Sequence, residues 1–306
     1  MTQVEQIADA ILYEGYILYP YRASALKNSQ RWNFGVLYPA AYAAAQQKTG
    51  ASSDMSAMQF ECLARGGELS VTARFLQLVT RDERWQEAMA RDVEMRGSGT
   101  HSFVFPDQEH REDGVVRRQE RVDGAMEISA RDVGGGWSRV TVRISNSGAY
   151  AVPGRDSAAW SDREAALRRS LVSTHAILRI EGGEFASLLD PPEELRELAA
   201  ECENTGLWPV LVGDAASRNT MLASPIILYD YPQIAPQSAG ALFDGTEIDE
   251  ILSLRILALT DEEKREMRET DGEARRILER TESLDPEEWM RLHGVMRDAG
   301  PLEKAQ

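Results

Sequence analysis

Cysteine, histidine and long apolar runs are what this sequence has least of, and each scarcity excludes something. Two cysteines occur, Cys62 and Cys202, far apart in the chain. They form no disulfide framework and no Cys-x-x-Cys zinc spacing, which fits a reducing compartment. The four histidines, His101, His110, His175 and His293, include no His-x-x-x-His pair, so neither a metal nor another cofactor is expected. His101 and His110 flank Phe103-Val104-Phe105-Pro106 and are expected on an exposed loop. No stretch approaches the ~18 consecutive apolar residues of a membrane span. The longest candidate, Val36 to Ala45, is short and contains Pro39. Met1 to Ala10 carries Glu5 and Asp9 but no lysine or arginine, unlike a secretory leader. A cytoplasmic location and no membrane partner are therefore expected.

Positive charge is the other shortage. Lysine and arginine total 34 against 50 aspartates and glutamates, a formal net charge of −16. Such a surface repels phosphate backbones, so nucleic acid is not an expected partner. Acids interrupt the arginine-rich runs, Arg117-Arg118-Gln119-Glu120-Arg121 and Arg163 to Arg169, as on solvated strand and helix faces. The apolar fraction of 42% is ordinary for a globular chain, and 306 residues suffice for one large or two modest domains.

What is present reads first as strands. Leu69, Val71, Ala73 and Phe75 alternate with Ser70, Thr72 and Arg74, the pattern of a half-buried strand. At Phe75-Leu76 the parity changes, and a bulge would achieve this. Glu127 to Val133 and Val140 to Ile144 flank Gly134-Gly135-Gly136, which predicts a hairpin. Ala176 to Ile180 is a further strand, stopped at Gly182-Gly183. The aromatic run Ile11 to Tyr21 fits a strand or a short buried helix, and Asn28 to Asn33 an exposed loop.

Helical signals take over later. Asp190-Pro191-Pro192-Glu193 starts a helix with Leu195, Leu198, Ala199 and Cys202 on one face. Ser161 with Glu164, Thr260 with Glu263, and Asp285 with Glu288 form capping boxes. Thr246 caps a helix carrying Ile248, Ile251 and Leu252, and Trp289, Leu292, His293 and Met296 line a last one. The expected fold class is α+β: an antiparallel β-sandwich or barrel-like N-terminal region, 1–185, with a helical C-terminal region, 186–306.

Catalytic patterns are thin. Ser173-Thr174-His175 sets hydroxyls beside an imidazole, but neighbours on a strand point to opposite faces. No Gly-x-Ser-x-Gly elbow occurs. The acids Asp244, Glu247, Asp249 and Glu250, and Asp261 to Glu263, sit at helix starts, where they complement the helix dipole. Leu207-Trp208-Pro209-Val210-Leu211 and Ser224 to Pro232 combine aromatics, prolines and aliphatics without periodicity. Such segments pack a seam or present a rigid apolar patch to a partner. Trp208, Pro209, Tyr229, Asp230, Tyr231 and Pro232 are the candidate partner-binding residues.

The segments Ser224 to Tyr231, Ile234-Ala235-Pro236, Leu242 to Leu252 and Leu259 to Lys264 resemble a family of uncharacterised bacterial proteins. That family is associated with loci for actinobacterial-type nickel–iron hydrogenases and their maturation proteins. The resemblance implies a non-enzymatic accessory or chaperone-like role, with a hydrogenase subunit or maturation factor as protein partner. It transfers no catalytic residue. Two alternatives are an enzyme whose site gathers His175, His101 or acids near Asp230, and a carbohydrate- or peptide-binding sandwich with Trp32, Trp137 and Trp160 along one groove.

Overall fold

A computed structural model of the chain describes residues 2–18, 21–25, 27–28, 31–48, 54–82, 85–112, 114–151, 162–234, 249–285 and 287–288. In chain order the elements are α1 (Gln3–Leu12), α2 (Ala40–Lys48), β1 (Ala57–Arg81), β2 (Trp85–Arg96), β3 (Gly99–Phe105), β4 (Gln108–Glu112) and β5 (Val115–Gln119). They continue with β6 (Val122–Gly134), β7 (Trp137–Asn146), α3 (Asp162–Leu167), β8 (Val172–Phe185), α4 (Arg196–Ala200), β9 (Trp208–Leu211) and β10 (Thr220–Ser224). The helices α5 (Asp249–Leu257), α6 (Asp261–Thr270) and α7 (Gly272–Ser283) follow. The fold is α+β, and its 10 strands form one antiparallel sheet ordered β3-β6-β7-β1-β8-β10-β9, with β2 and β5 also on β1 and β4 on β5.

Strand β1 explains the architecture. Its first part, Ala57–Arg65, pairs with β7, and its second, Ser70–Arg81, with β2. Strand β8 holds the other edge from Ala64 to Leu76. Between the two parts Gly66 and Gly67 have φ of 66° and 70°, a left-handed conformation that glycine adopts at little steric cost. Inward residues from both parts enter one apolar cluster: Phe60 and Cys62 before the glycines, Val71, Ala73 and Phe75 after them, with Met126, Ile144, Leu178 and Met221. The sheet thus folds over its own core, the expected barrel-like arrangement.

Several local expectations hold. Leu76 and Leu78 are buried on the second parity, and the β1–β8 register shifts between Arg74 and Leu76. Strands β6 and β7 form the hairpin around the three glycines. Others need correction. Strand β8 does not stop at Gly182-Gly183 but runs on to Phe185. His101 and His110 are exposed on β3 and β4, not on a loop. The segment before Phe34 is not exposed: Asn28, Arg31 and Trp32 are buried. The Asn28 side chain accepts from the Leu18 N–H at 2.7 Å and donates to the Leu18 and Arg22 carbonyls at 2.8 and 3.0 Å, so a local amide satisfies the turn's backbone.

The run from Ile11 supplies only the end of α1, which begins earlier at a Thr2–Glu5 capping box and turns at Gly15 (φ 72°). Ile7, Ala8 and Ile11 pack on Ile177, Val210, Val212 and Leu222, outside the main core. The helix from Glu193 is short: one 3-10 turn carrying Leu195, then α4 carrying Ala199, and both side chains join the cluster of Leu63 and Trp137. Beyond the expected boundary at 185, β9 and β10 still belong to the sheet.

Contacts divide the chain into one unit of 1–16 with 32–233 and another of 17–31 with 234–306. In the second, α6 starts at the Thr260–Glu263 box, with both reciprocal bonds made, and Asp271 caps α7. Lys264 and Arg268 on α6 meet Glu282 of α7 at 3.3 and 2.8 Å, and Arg22 meets Glu263 at 3.0 Å. Asp285 and Glu288 exchange the bonds of a capping box. Ser161, Thr246, Asp244, Glu247 and the run Trp289 to Met296 lie outside the described residues. No helix among the described residues is long and apolar enough to cross a membrane.

Candidate functional site

The six residues expected at a partner surface divide into anchors and one displayed side chain. Pro209 is buried in β9 opposite Ala223, and Trp208 is half-buried opposite Ser224. Asp230 faces inward: its carboxylate accepts from the Leu211 N–H at 2.8 Å and the Ser187 hydroxyl at 2.5 Å. The Ser187 oxygen in turn accepts from the N–H groups of Leu189 and Asp190. Tyr231, at φ 54°, donates its N–H to the Leu211 carbonyl at 2.7 Å. Its ring packs against the main core, and burial raises its phenol pKa. Pro232 is half-buried. Tyr229 alone stands out, 86% exposed, with Ile227 beside it at 73%; Ile227 was not among the six. Leu228 between them turns into the cluster under α1.

Trp208 also lines an open cavity of about 330 Å³. Phe34, Met55, Met58, Trp208 and Pro225 supply apolar wall, and Asn33, Tyr38, Asp54 and Arg163 the polar groups. Two glycines let the walls approach. A Cβ on Gly35 (φ 53°) would lie 2.8 Å from Pro225, and one on Gly206 (φ 79°) 2.7 Å from Met58. The Arg163 guanidinium donates to the Trp32 carbonyl at 2.9 Å and to the Asn33 side-chain oxygen. Burial, more than any charge, lifts the Tyr38 phenol above its usual range, while the Arg163 hydrogen bond opposes the shift. Tyr42, in ring contact with Tyr38 and Tyr150 at 5.0 and 6.0 Å, is pushed up to about 12 by burial and then by Asp54. Of these residues only Trp208 was expected at a site.

The Ser173-Thr174-His175 run is a brace for that wall and not a nucleophile pair. Ser173 and Thr174 donate backbone N–H groups to the Phe34 and Gly35 carbonyls at 3.0 and 2.8 Å. Ser173 has φ 53°, which breaks strand alternation. His175 is fully buried. Its Nδ1 lies 2.9 Å from the Ser173 carbonyl, and its Nε2 has no partner. None of His175, His101 and Asp230 lines the cavity, so the scattered enzyme site is not assembled there. The tryptophan groove fails too. Trp32 and Trp137 are buried, Trp32 donating to Gln86 at 2.9 Å and Trp137 lying under Arg65 at 4.8 Å, while Trp160 is outside the described residues.

Within the arginine runs, Arg117 pairs with Glu87, Arg118 with Glu109, and Arg168 and Arg169 with Glu120. No group of three or more His, Cys, Asp or Glu side chains suited to a metal occurs among the described residues. Both thiols are free. Burial pushes Cys62 far up and Cys202 up to about 11, and only the thiolate is reactive. At about pH 8 a maleimide should modify Cys202 roughly a hundredfold more slowly than an ordinary thiol, and Cys62 only after unfolding. Rapid labelling of both in the folded chain would contradict the buried placement.

The chain matches no protein-family model and no curated protein sequence.

Proposed function

We propose that this chain is a non-enzymatic interaction protein that grips a protein partner through Ile227 and Tyr229. What supports this is two large apolar side chains held in solvent by a loop fixed along its length. Ser224 donates to the Ile226 carbonyl at 2.8 Å, Leu228 is inserted under α1, and Asp230 and Tyr231 are tied to Leu211. A displayed pair on a rigid loop loses little entropy on binding, and tyrosine is favoured at interface hot spots. The resemblance of the last third of the chain supplies the partner class: a nickel–iron hydrogenase subunit or maturation factor, with the chain acting in assembly.

The test is affinity capture from the organism that encodes the chain, with wild type and the Ile227→Ala/Tyr229→Ala double variant. The wild type should retain a hydrogenase subunit or maturation factor, and the variant at least about tenfold less, since truncating a hot spot commonly exceeds 1 kcal/mol. Its thermal midpoint should not move. Retention of neither protein class rejects the partner assignment; equal retention by both forms rejects the surface.

A further inference from the structure

We propose that β3 is the seam of a two-fold dimer, in which it pairs antiparallel with β3 of a second copy of this chain. The edge is separate from the Ile227–Tyr229 surface, and either can fail without the other.

An open edge is the first observation. Strand β3 pairs with β6 alone, from Gly99 opposite Ile128 to Phe105 opposite Val122. Among the described residues no backbone bond reaches its other side. Thr100, His101, Ser102 and Val104 are all exposed, so the strand meets solvent on both of its faces. Such an edge is a template for a further strand.

The second observation is that this edge has no guard. Exposed edges are ordinarily protected by charge, proline or a bulge. Of the other strands that pair on one side, β2 carries Glu87, Arg91, Asp92, Glu94 and Arg96, β4 carries Glu109, Arg111 and Glu112, and β9 carries Pro209. Strand β3 reads Gly99-Thr100-His101-Ser102-Phe103-Val104-Phe105, with no acid, lysine, arginine or proline. Its second half is aromatic and β-branched, which favours pairing.

Charge identifies the occupant. Two copies of a chain with a net charge of −16 repel, and near a two-fold axis each side chain meets its own kind, so a charged seam would set like charges face to face. A foreign strand could carry the opposite charge; self-pairing is what requires a neutral edge. The register that uses all seven residues centres on Ser102, with His101 opposite the copy's Phe103 and Thr100 opposite its Val104. On β6, Ala125 lies beside Ser102, Met126 beside His101 and Gly124 beside Phe103. The three central rows across both copies therefore hold no acid, lysine or arginine. Asp123 beside Val104 and Glu127 beside Thr100 come next. In the dimer, Asp123 and the copy's Glu127 stand three strand spacings apart, about 14 Å, beyond the Debye length of about 8 Å at physiological salt. A seven-residue seam about 23 Å long belongs with the small interfaces, under roughly 1,200 Å², so the dimer is reversible.

Sedimentation velocity of the full chain from about 10 µM to about 500 µM, close to the weak end of specific affinities, should show a monomer–dimer equilibrium. Ser102→Lys and Ser102→Glu each set like charges on the axis and should weaken association about fivefold. An equimolar mixture of the two should regain the wild-type affinity, which also shows that both variants fold. Met89→Lys, at an exposed position of β2, should associate as wild type does. A chain that stays monomeric throughout the range overturns the proposal. So does a dimer that Ser102→Lys leaves intact, or a mixture that associates no better than either variant alone.

Discussion

Gly67→Ala is expected to destabilise the strand-rich unit by at least about 3 kcal/mol, while Gly97→Ala costs about 1 kcal/mol. The two glycines have nearly the same backbone, φ 70° and 67°, so the intrinsic penalty for a left-handed alanine is common to both. Their surroundings differ. A Cβ on Gly97 meets nothing within 4 Å, whereas one on Gly67 would lie 2.5 Å from the Glu181 carbonyl oxygen and 2.7 Å from the Gly183 nitrogen. Those atoms belong to the backbone of β8, which cannot turn aside as a side chain can. Relief requires β8 to move from β1, and the pairing across Ala64 to Leu76 would be disturbed where the sheet folds over. Urea unfolding followed by tryptophan fluorescence gives both numbers. A Gly67→Ala variant as stable as Gly97→Ala would mean that β1 and β8 do not approach so closely.

This pair also shows how far the sequence carried the fold. Alternation from Leu69 to Phe75 and the parity change after it were legible, because burial on one face leaves a period of two. The glycine hairpin and the Thr260 box were legible because turn and cap chemistry is local. The bend at Gly66-Gly67 was not, since glycine is compatible with a turn, a strand end or a kink, and the neighbour that excludes a side chain is Glu181, far along the chain. The Ile11 to Tyr21 run stayed undecided between strand and short buried helix for a related reason. Ile11 and Leu12 end a helix, and its start signal, Thr2 with Glu5, stood well ahead of them.

The candidate sites were legible in the same uneven way. An apolar, proline-punctuated stretch was singled out from Trp208 to Pro232, but composition does not say which residues face inward. Asp230 and Tyr231 were singled out and are anchors; Ile227 was not singled out and is displayed. The cavity draws on stretches near Asn33, Asp54, Arg163, Gly206 and Pro225, and no spacing rule links five such stretches. Isolated glycines beside aromatic or methionine residues, Gly35 after Phe34 and Gly206 before Leu207-Trp208, were the available hint of close backbone approach.

Stability should fall on mild acidification because of His175. Burial holds this imidazole down to about 4, with Arg74 adding to the depression and the Ser173 carbonyl and Asp92 opposing it. In the unfolded chain it titrates near 6.5. Between those values the unfolded state binds a proton that the native state refuses, so acid favours unfolding. The contribution is absent above pH of about 7, grows as pH falls through 6.5, and levels off below about 4. It amounts to about 2 kcal/mol at about pH 5 and about 3 kcal/mol at full development. Carboxylates titrate over part of this range in any form of the protein. The observable is therefore the loss between about pH 7.5 and about pH 5 in wild type minus the loss in His175→Leu, whatever the leucine costs at both values. Equal losses would mean that His175 takes up its proton inside the folded chain. The same refusal bears on chemistry: a group that stays neutral until about pH 4 and has its Nε2 sealed from solvent neither delivers nor collects protons near neutrality, so His175 serves the fold and the cavity wall above it.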